Sequence, residues 1–297
     1  MKELISYSQH EFIGRDDLTF DPTQYSLYKY GSGPIARQFG VELANGFINS
    51  KEFADMISNF GDKRIVVLCS PYGYIQSAAT VIQREFMKIF NLQLIKLGLS
   101  PAAEYKTTRD KYYTVDYASM TGEERRVLIN GDVFHISKSF LSDKILIHID
   151  DIKITGGHQE VIERIFNENE LYETGSIPVF LYYASLVGKG ENPNIEAYLN
   201  NYYVKELHHL NNIVKKDYEF NTRAIKFILG APEQQFISFV EMQEFSFLAN
   251  LMQHSIGEGY WDIERFRTNL DTLIHYVTGS RITKDIVQTT TKQYELV

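Results

Sequence analysis

The chain has 297 residues, with 30 Lys+Arg against 38 Asp+Glu and a formal net charge of −8 at pH 7. Hydrophobic residues make up 44% and charged residues 23%, a balance that excludes disorder over the bulk of the chain. The acidic excess argues against a broad basic surface for nucleic acid or for an anionic membrane, while leaving room for a small anion pocket.

The length allows one large domain or two moderate ones. Cys69 is the single cysteine, so no intrachain disulfide can form; that suits a reducing compartment and removes any Cys-rich metal site. The N-terminal MKELISYSQHEF lacks the apolar run of a signal peptide, and no stretch of about 20 apolar residues occurs anywhere. The expectation is a cytoplasmic protein with no membrane span.

Residues 1–20 are polar and without a period, which reads as an extended lead-in or hood. Residues 25–33, YSLYKYGSG, read as a Tyr- and Gly-rich loop. Pro34 suits the first turn of a helix that continues through Ile35, Phe39 and Leu43. A second short helix is expected over 51–60, with Phe53, Met56, Ile57 and Phe60 on one face and Gly61 as its stop. RIVVLC (64–69) then reads as a strand, closed by the turn SPYGY (70–74). Ile75, Ala79, Ile82, Phe86 and Ile89 mark an amphipathic helix, and QLIKLG (93–98) reads as a second strand.

Residues 101–132 have few aliphatics and carry Lys106, Arg109, Lys111, Tyr112, Tyr113 and Tyr117. An excursion of that length between core elements is commonly functional. ILIHI (145–149) and IPVFLYY (177–183) read as further strands, separated by a helix with Val161, Ile162, Ile165 and Phe166 on one side. This alternation predicts an α/β fold with a mostly parallel central sheet covered by helices. Beyond about residue 190 strand signals fade, and helical periods fit 194–203, 221–229, 232–254 and 260–278. The expected organisation is an α/β domain with an N-terminal hood over 1–190 and a helical C-terminal region over 191–297. GKGENPN (188–194) is the linker between them.

The chemistry concentrates after Ile145, in ILIHIDDIKITGGH. An apolar strand runs into Asp150 and Asp151, and Thr155-Gly156-Gly157 opens a helix a few residues later. Ligands of open α/β sheets sit at the carboxyl ends of the strands. A glycine turn entering a helix exposes backbone N–H groups, and the helix N-terminus favours anions. A phosphate cradle beside carboxylates that can accept hydrogen bonds from sugar hydroxyls matches a 5′-phosphorylated ribose. No Walker-type GxxxxGK[ST] is present and no GxGxxG follows a strand, so the nucleotide-triphosphate and dinucleotide readings are weak.

On Leu146, Ile147, Ile149, Asp150, Asp151, Ile152, Thr155, Gly156 and Gly157 the sequence resembles the type I phosphoribosyltransferase family. The resemblance implies that Asp150 and Asp151 hold the ribose hydroxyls of phosphoribosyl pyrophosphate (PRPP). It implies that Thr155, Gly156, Gly157 and His158 wrap its 5′-phosphate, and Lys153 adds a cation beside that loop. Upstream, the family has a pyrophosphate loop after an earlier strand, and Ser70, Pro71, Tyr72, Gly73 and Tyr74 stand in that position. A mobile catalytic loop of the family matches the 101–132 excursion, which supplies Lys106, Arg109 and Lys111. The implied reaction transfers phosphoribosyl between pyrophosphate and a nitrogenous base, with Mg²⁺ bound mostly to ligand and water rather than in a protein cage. Tyr30, Tyr72, Tyr74 and Tyr112 are candidates to stack on the base, and many members of the family form homodimers.

The sequence also departs from the family. His148, Lys153, Ile154 and His158 do not fit the usual residue classes. Purine-specific members often carry a further acid three residues after the second of the pair, and Ile154 stands there. That lowers the purine-salvage reading. Two alternatives therefore stay open: a non-catalytic PRPP- or nucleotide-sensing regulator on the same fold, and an unrelated phosphoesterase or receiver-type domain that uses the acid pair differently. His208-His209 lacks HExxH-type spacing and reads as structural.

Overall fold

In the computed structural model, which describes residues 4–109, 134–188 and 194–279, five strands form one sheet in which each neighbouring pair is parallel. The strands are β1 (Ile5–Phe12), β2 (Arg64–Cys69), β3 (Ala103–Lys106), β6 (Lys144–Lys153) and β7 (Ile177–Leu186), in the order β1-β7-β6-β2-β3. A two-residue antiparallel pair, β4 (Thr108–Arg109) with β5 (Phe134–His135), flanks the excursion. Lys111, Tyr112, Tyr113 and Tyr117 lie outside the described residues.

Alternation along the inner strands builds both faces of the sheet. Ile65 and Val67 of β2 and Ile145, Ile147 and Ile149 of β6 join one core, under α1 (Pro22–Lys29), α2 (Gly33–Ile48), α3 (Lys51–Phe60) and α4 (Ala78–Lys96). Val66, Leu68 and Leu146 point the other way, into a smaller cluster with Leu141 of α5 (Lys138–Leu141) and Phe166 of α6 (Gly157–Glu168). The inner strands are covered on both sides, which is why they read as near-continuous apolar runs.

Three expectations are corrected. The polar lead-in is strand β1, paired with β7 from Ile5↔Val179 to Phe12↔Leu186. It is an edge strand whose one fully buried side chain is Phe12, so it carries little apolar signal. The Tyr-rich segment is helical over most of its length: Asp21 caps α1 by accepting from Thr23 N at 2.7 Å, and Pro22 is its first residue. QLIKLG is the end of α4, because Phe86, Phe90 and Leu94 continue one buried helical face to Lys96. Its place in the sheet is taken by AEYK, a short edge strand.

The C-terminal region is helical. It comprises α7 (Ile195–Asn200), a 3₁₀ turn (Leu207–Asn212), α8 (Thr222–Leu229), α9 (Glu233–Glu241), α10 (Phe245–Gly257), a 3₁₀ turn (Tyr260–Asp262) and α11 (Glu264–Thr278). The single helix expected over 232–254 is broken around Met242 and Glu244, the cap residues of α9 and α10. These helices share a core that includes Ile225, Ile228, Phe236, Leu248, Leu251, Phe266 and Leu270. Among the described residues no helix is long and apolar enough to cross a membrane.

Candidate functional site

The acid pair is part of β6 rather than beyond it. Pairing with β7 continues through Asp150↔Tyr182 and Ile152↔Ala184 to Lys153↔Ser185. Consecutive strand residues face opposite sides, so Asp150 and Asp151 point to different surroundings. Asp151 shares the side of Ile147 and Ile149 and meets α1, where it accepts from the Lys29 ammonium and, at 2.9 Å, from the Tyr25 hydroxyl. Asp150 shares the side of Leu146 and meets α6. Its Oδ2 lies 2.7 Å from His158 Nδ1, and its Oδ1 accepts from Asp151 N at 2.9 Å.

Their electrostatics differ accordingly. Burial by itself would raise the Asp151 carboxyl; the Lys29 ammonium overcomes it, helped by the hydrogen bonds around the carboxylate, and the group is held down at about 2. Burial pushes Asp150 up from its ordinary value, and the His158 imidazolium pulls it back. The Asp150 carboxylate raises His158 to about 9. With 72% of the His158 side chain exposed, water screens part of that attraction. Tyr28, also on α1, lies near both acids; burial first and then their negative charge push its hydroxyl well above its ordinary value. That hydroxyl is buried without a hydrogen-bond partner among the described residues.

Beyond Lys153 the chain turns through Thr155 and Gly156 into α6. Gly156 is the N-cap residue at φ 79°, a left-handed conformation that glycine adopts freely. It brings no capping side chain, so the first-turn amides of α6 are not satisfied from within the helix. A Cβ at Gly157 would find nothing nearer than Thr155 Oγ1 at 3.6 Å. Packing therefore does not demand glycine there. Lys153 Nζ donates to Gln159 Oε1 at 2.8 Å and lies over the Tyr182 ring. The predicted cluster Lys153, Thr155, Gly156, Gly157 and His158 is one contiguous turn with Asp150 at its base.

The β2 loop lies beside this turn. Pairing of β2 with β6 runs from Arg64↔Lys144 to Leu68↔His148, and Ser70 follows immediately after β2, the strand beside β6. From the other side, Lys106 at the end of β3 reaches back to the loop. Its Nζ sits 3.9 Å over the Tyr72 ring and 3.3 Å from Gly73 O. Ser70–Tyr74 and Lys106 are thus brought together, one strand away from the acid pair. Burial pushes the neighbouring Cys69 thiol up to about 12, so it stays protonated at neutral pH.

Other candidates fall elsewhere. Arg109 belongs to β4, opposite Phe134. Tyr30 is buried against Phe227 and donates to Asn201 Oδ1 at 2.7 Å, so it is core rather than a wall for a base. Tyr74 is packed against α10. Lys29, Tyr25 and Tyr28 are the residues that sequence reasoning missed. The signal for them was the Asp-Pro helix start at 21–22, followed by Tyr25, Tyr28 and Lys29 at helical spacing.

Matched against protein families, residues 4–273 fit the model described as PRTase ComF-like. The chain belongs to the PRTase ComF-like family. Among curated proteins no relative matches. Solved structures that resemble this ComF-like chain include a hypoxanthine phosphoribosyltransferase of Staphylococcus aureus, 9% identical, TM-score 0.28, covering 57% of this chain and 77% of its own. The L. donovani hypoxanthine-guanine phosphoribosyl transferase is 11% identical, TM-score 0.32, with 57% and 76% covered. The Trypanosoma cruzi hypoxanthine phosphoribosyl transferase is 9% identical, TM-score 0.33, with 53% and 77% covered. At those scores the likeness carries no argument about the site; membership of the ComF-like family rests on the family model.

Proposed function

We propose that this chain binds PRPP, or a nucleotide through its 5′-phosphate, and transfers phosphoribosyl between pyrophosphate and a nitrogenous base. The observation that carries the reading is the uncapped, glycine-opened N-terminus of α6 at the carboxyl end of β6, with Asp150 beneath it and the β2 loop alongside. The family membership supports the same activity at the coarse level.

In this reading the 5′-phosphate takes the amides of Gly157 and His158, with the His158 imidazolium and Lys153 adding positive charge. Asp150 accepts from a ribose hydroxyl. Asp151 is withdrawn into its ion pair with Lys29, so its part is to fix α1 against β6 rather than to touch ribose. Ser70–Tyr74 receive the diphosphate, with Lys106 supplying a cation at its rim. The base nitrogen attacks C1 of the ribose as the C1–O bond breaks, and pyrophosphate leaves with that electron pair. The protein contributes positioning and electrostatic stabilisation.

Both Asp150 oxygens are already engaged, one by His158 and one by a backbone amide. Among the described residues no group of three or more His, Cys, Asp or Glu side chains converges as a metal cage. A magnesium ion carried on ligand oxygens and water would need from the protein only the lone pairs left on the Asp150 carboxylate. Bound there with PRPP, magnesium would supply positive charge against the departing diphosphate.

A second reading, a PRPP- or nucleotide-sensing regulator, is favoured by one observation. Of the two acids, one is sealed in an internal ion pair and the other is already paired with a histidine. Calorimetry with PRPP and Mg²⁺, followed by pyrophosphate release across a panel of bases, separates the two. Binding with release supports the transferase; binding without release for any base supports the regulator; absence of binding overturns both.

A further inference from the structure

The amides that close the β2 loop are already taken. Tyr74 N and Ile75 N both donate to one oxygen of Glu258, at 2.7 and 2.6 Å. Glu258 is the residue immediately after α10, in the helical C-terminal region. The last turns of the same helix grip Tyr74. Gln253 Nε2 donates to its hydroxyl at 3.0 Å, and His254 meets its ring edge-on with centroids 5.7 Å apart. Gly257 lies so close beneath the ring that a Cβ would stand 2.7 Å from it. A second strap follows: Thr222 N donates to Gln76 O at 3.3 Å, Gln76 Nε2 to Glu219 Oε2 at 3.3 Å, and Arg84 to Glu219 at 2.5 Å. By contrast, the amides of Tyr72 and Gly73 meet no protein acceptor among the described residues.

We infer that Glu258 is a positioning residue for the pyrophosphate loop. Its carboxylate pins the trailing half of the loop, Tyr74–Ile75, through two charge-assisted hydrogen bonds. The leading amides of Tyr72 and Gly73, which no acceptor among the described residues takes, are then the donors left for an incoming diphosphate. The C-terminal region is then part of the donor site rather than an appendage. The inference rests on the phosphoribosyl-donor reading above. A competing role for Glu258, as an internal anion that occupies the diphosphate position and must be displaced, predicts the opposite sign of effect.

The test compares PRPP with ribose 5-phosphate, which lacks the diphosphate, by calorimetry with Mg²⁺ on the wild type, Glu258→Ala and Glu258→Gln, alongside thermal unfolding. A loose loop costs on the order of tenfold or more in affinity through misplaced donors. Glu258→Ala is expected to lower the ratio of PRPP affinity to ribose 5-phosphate affinity by about that factor while ribose 5-phosphate binding holds. Glu258→Gln, which keeps a neutral acceptor, lowers the same ratio by less and carries the test should the alanine variant fail to fold. A ratio that rises, stays level, or falls only in step with ribose 5-phosphate binding overturns the inference. A wild type that binds neither ligand overturns the donor reading itself.

Discussion

Replacing Lys29 with Met strands the Asp151 carboxylate between α1 and β6. The two side chains are 10% and 8% exposed, so water cannot take over from the missing ammonium. Removing one partner of a buried pair costs ~3–5 kcal/mol, because the other charge stays behind. The Tyr25 hydroxyl remains bonded to Asp151, and the carboxyl can relieve the strain by taking up a proton. The loss at pH 7 therefore falls at the lower end, ~3 kcal/mol. The pH dependence follows the same pair. Asp151 is held at about 2 against an ordinary 3.8. The stability it lends is complete above pH 4 and is lost as pH falls through about 2; at about 1.4 kcal/mol per pKa unit, that is ~2 kcal/mol. Urea unfolding at pH 7 of Lys29→Met, Asp151→Asn and the double variant measures the coupling. The single variant should lose ~3 kcal/mol and the double variant clearly less than the sum of the two singles. A Lys29→Met protein within about 0.5 kcal/mol of wild type, or strictly additive losses, would refute the buried-pair account.

Three further outcomes are expected. By NMR, the His158 imidazole titrates above the ordinary 6.5 and no higher than about 9, and Asp150→Asn brings it back toward 6.5; a wild-type midpoint at or below 6.5 contradicts the Asp150–His158 pair. His148 is stacked on Phe180, its buried Nε2 has no hydrogen-bond partner among the described residues, and burial lowers its pKa to about 3. An unfolded histidine protonates near 6.5, so folding loses stability as pH falls from 6.5 toward 3. His148→Phe should therefore gain more in Tm over wild type at pH 5 than at pH 8, and an equal difference at both refutes the reasoning. Gly157→Ala, where a Cβ has room, should leave Tm unchanged and weaken phosphate binding, whereas Gly156→Ala at φ 79° should lose about 1 kcal/mol of stability.

The inner strands were legible because both faces of β2, β6 and β7 are buried, which writes continuous apolar runs into the sequence. The edges were not. β1 and β3 bury few side chains, and their residues read as polar lead-in and charged excursion. The QLIKLG segment misled because the apolar Leu92 and Ile95 are exposed on α4 and Leu97 at its C-cap, filling in the gaps of a helical period. At the site, the Thr155–His158 turn was readable from its glycines, since a left-handed N-cap has few other sequence solutions. The division of labour between Asp150 and Asp151 was not readable. It depends on strand β6 continuing through both acids and on α1 standing opposite the second, facts of register that no local motif encodes. The contact between Glu258 and the β2 loop spans more than 180 residues of chain and leaves no sequence mark.

The most direct measurement is calorimetry of the wild type and Asp150→Asn with PRPP and Mg²⁺, with Asp151→Asn as comparison and thermal unfolding of each. The wild type is expected to bind. Asp150→Asn should weaken binding at little cost in Tm, because in the proposed reading that carboxylate accepts from a ribose hydroxyl. Asp151→Asn should chiefly lower Tm, because its partners are Lys29 and Tyr25. No PRPP binding by a folded wild type, or equal loss of binding with no loss of Tm in both variants, would contradict it.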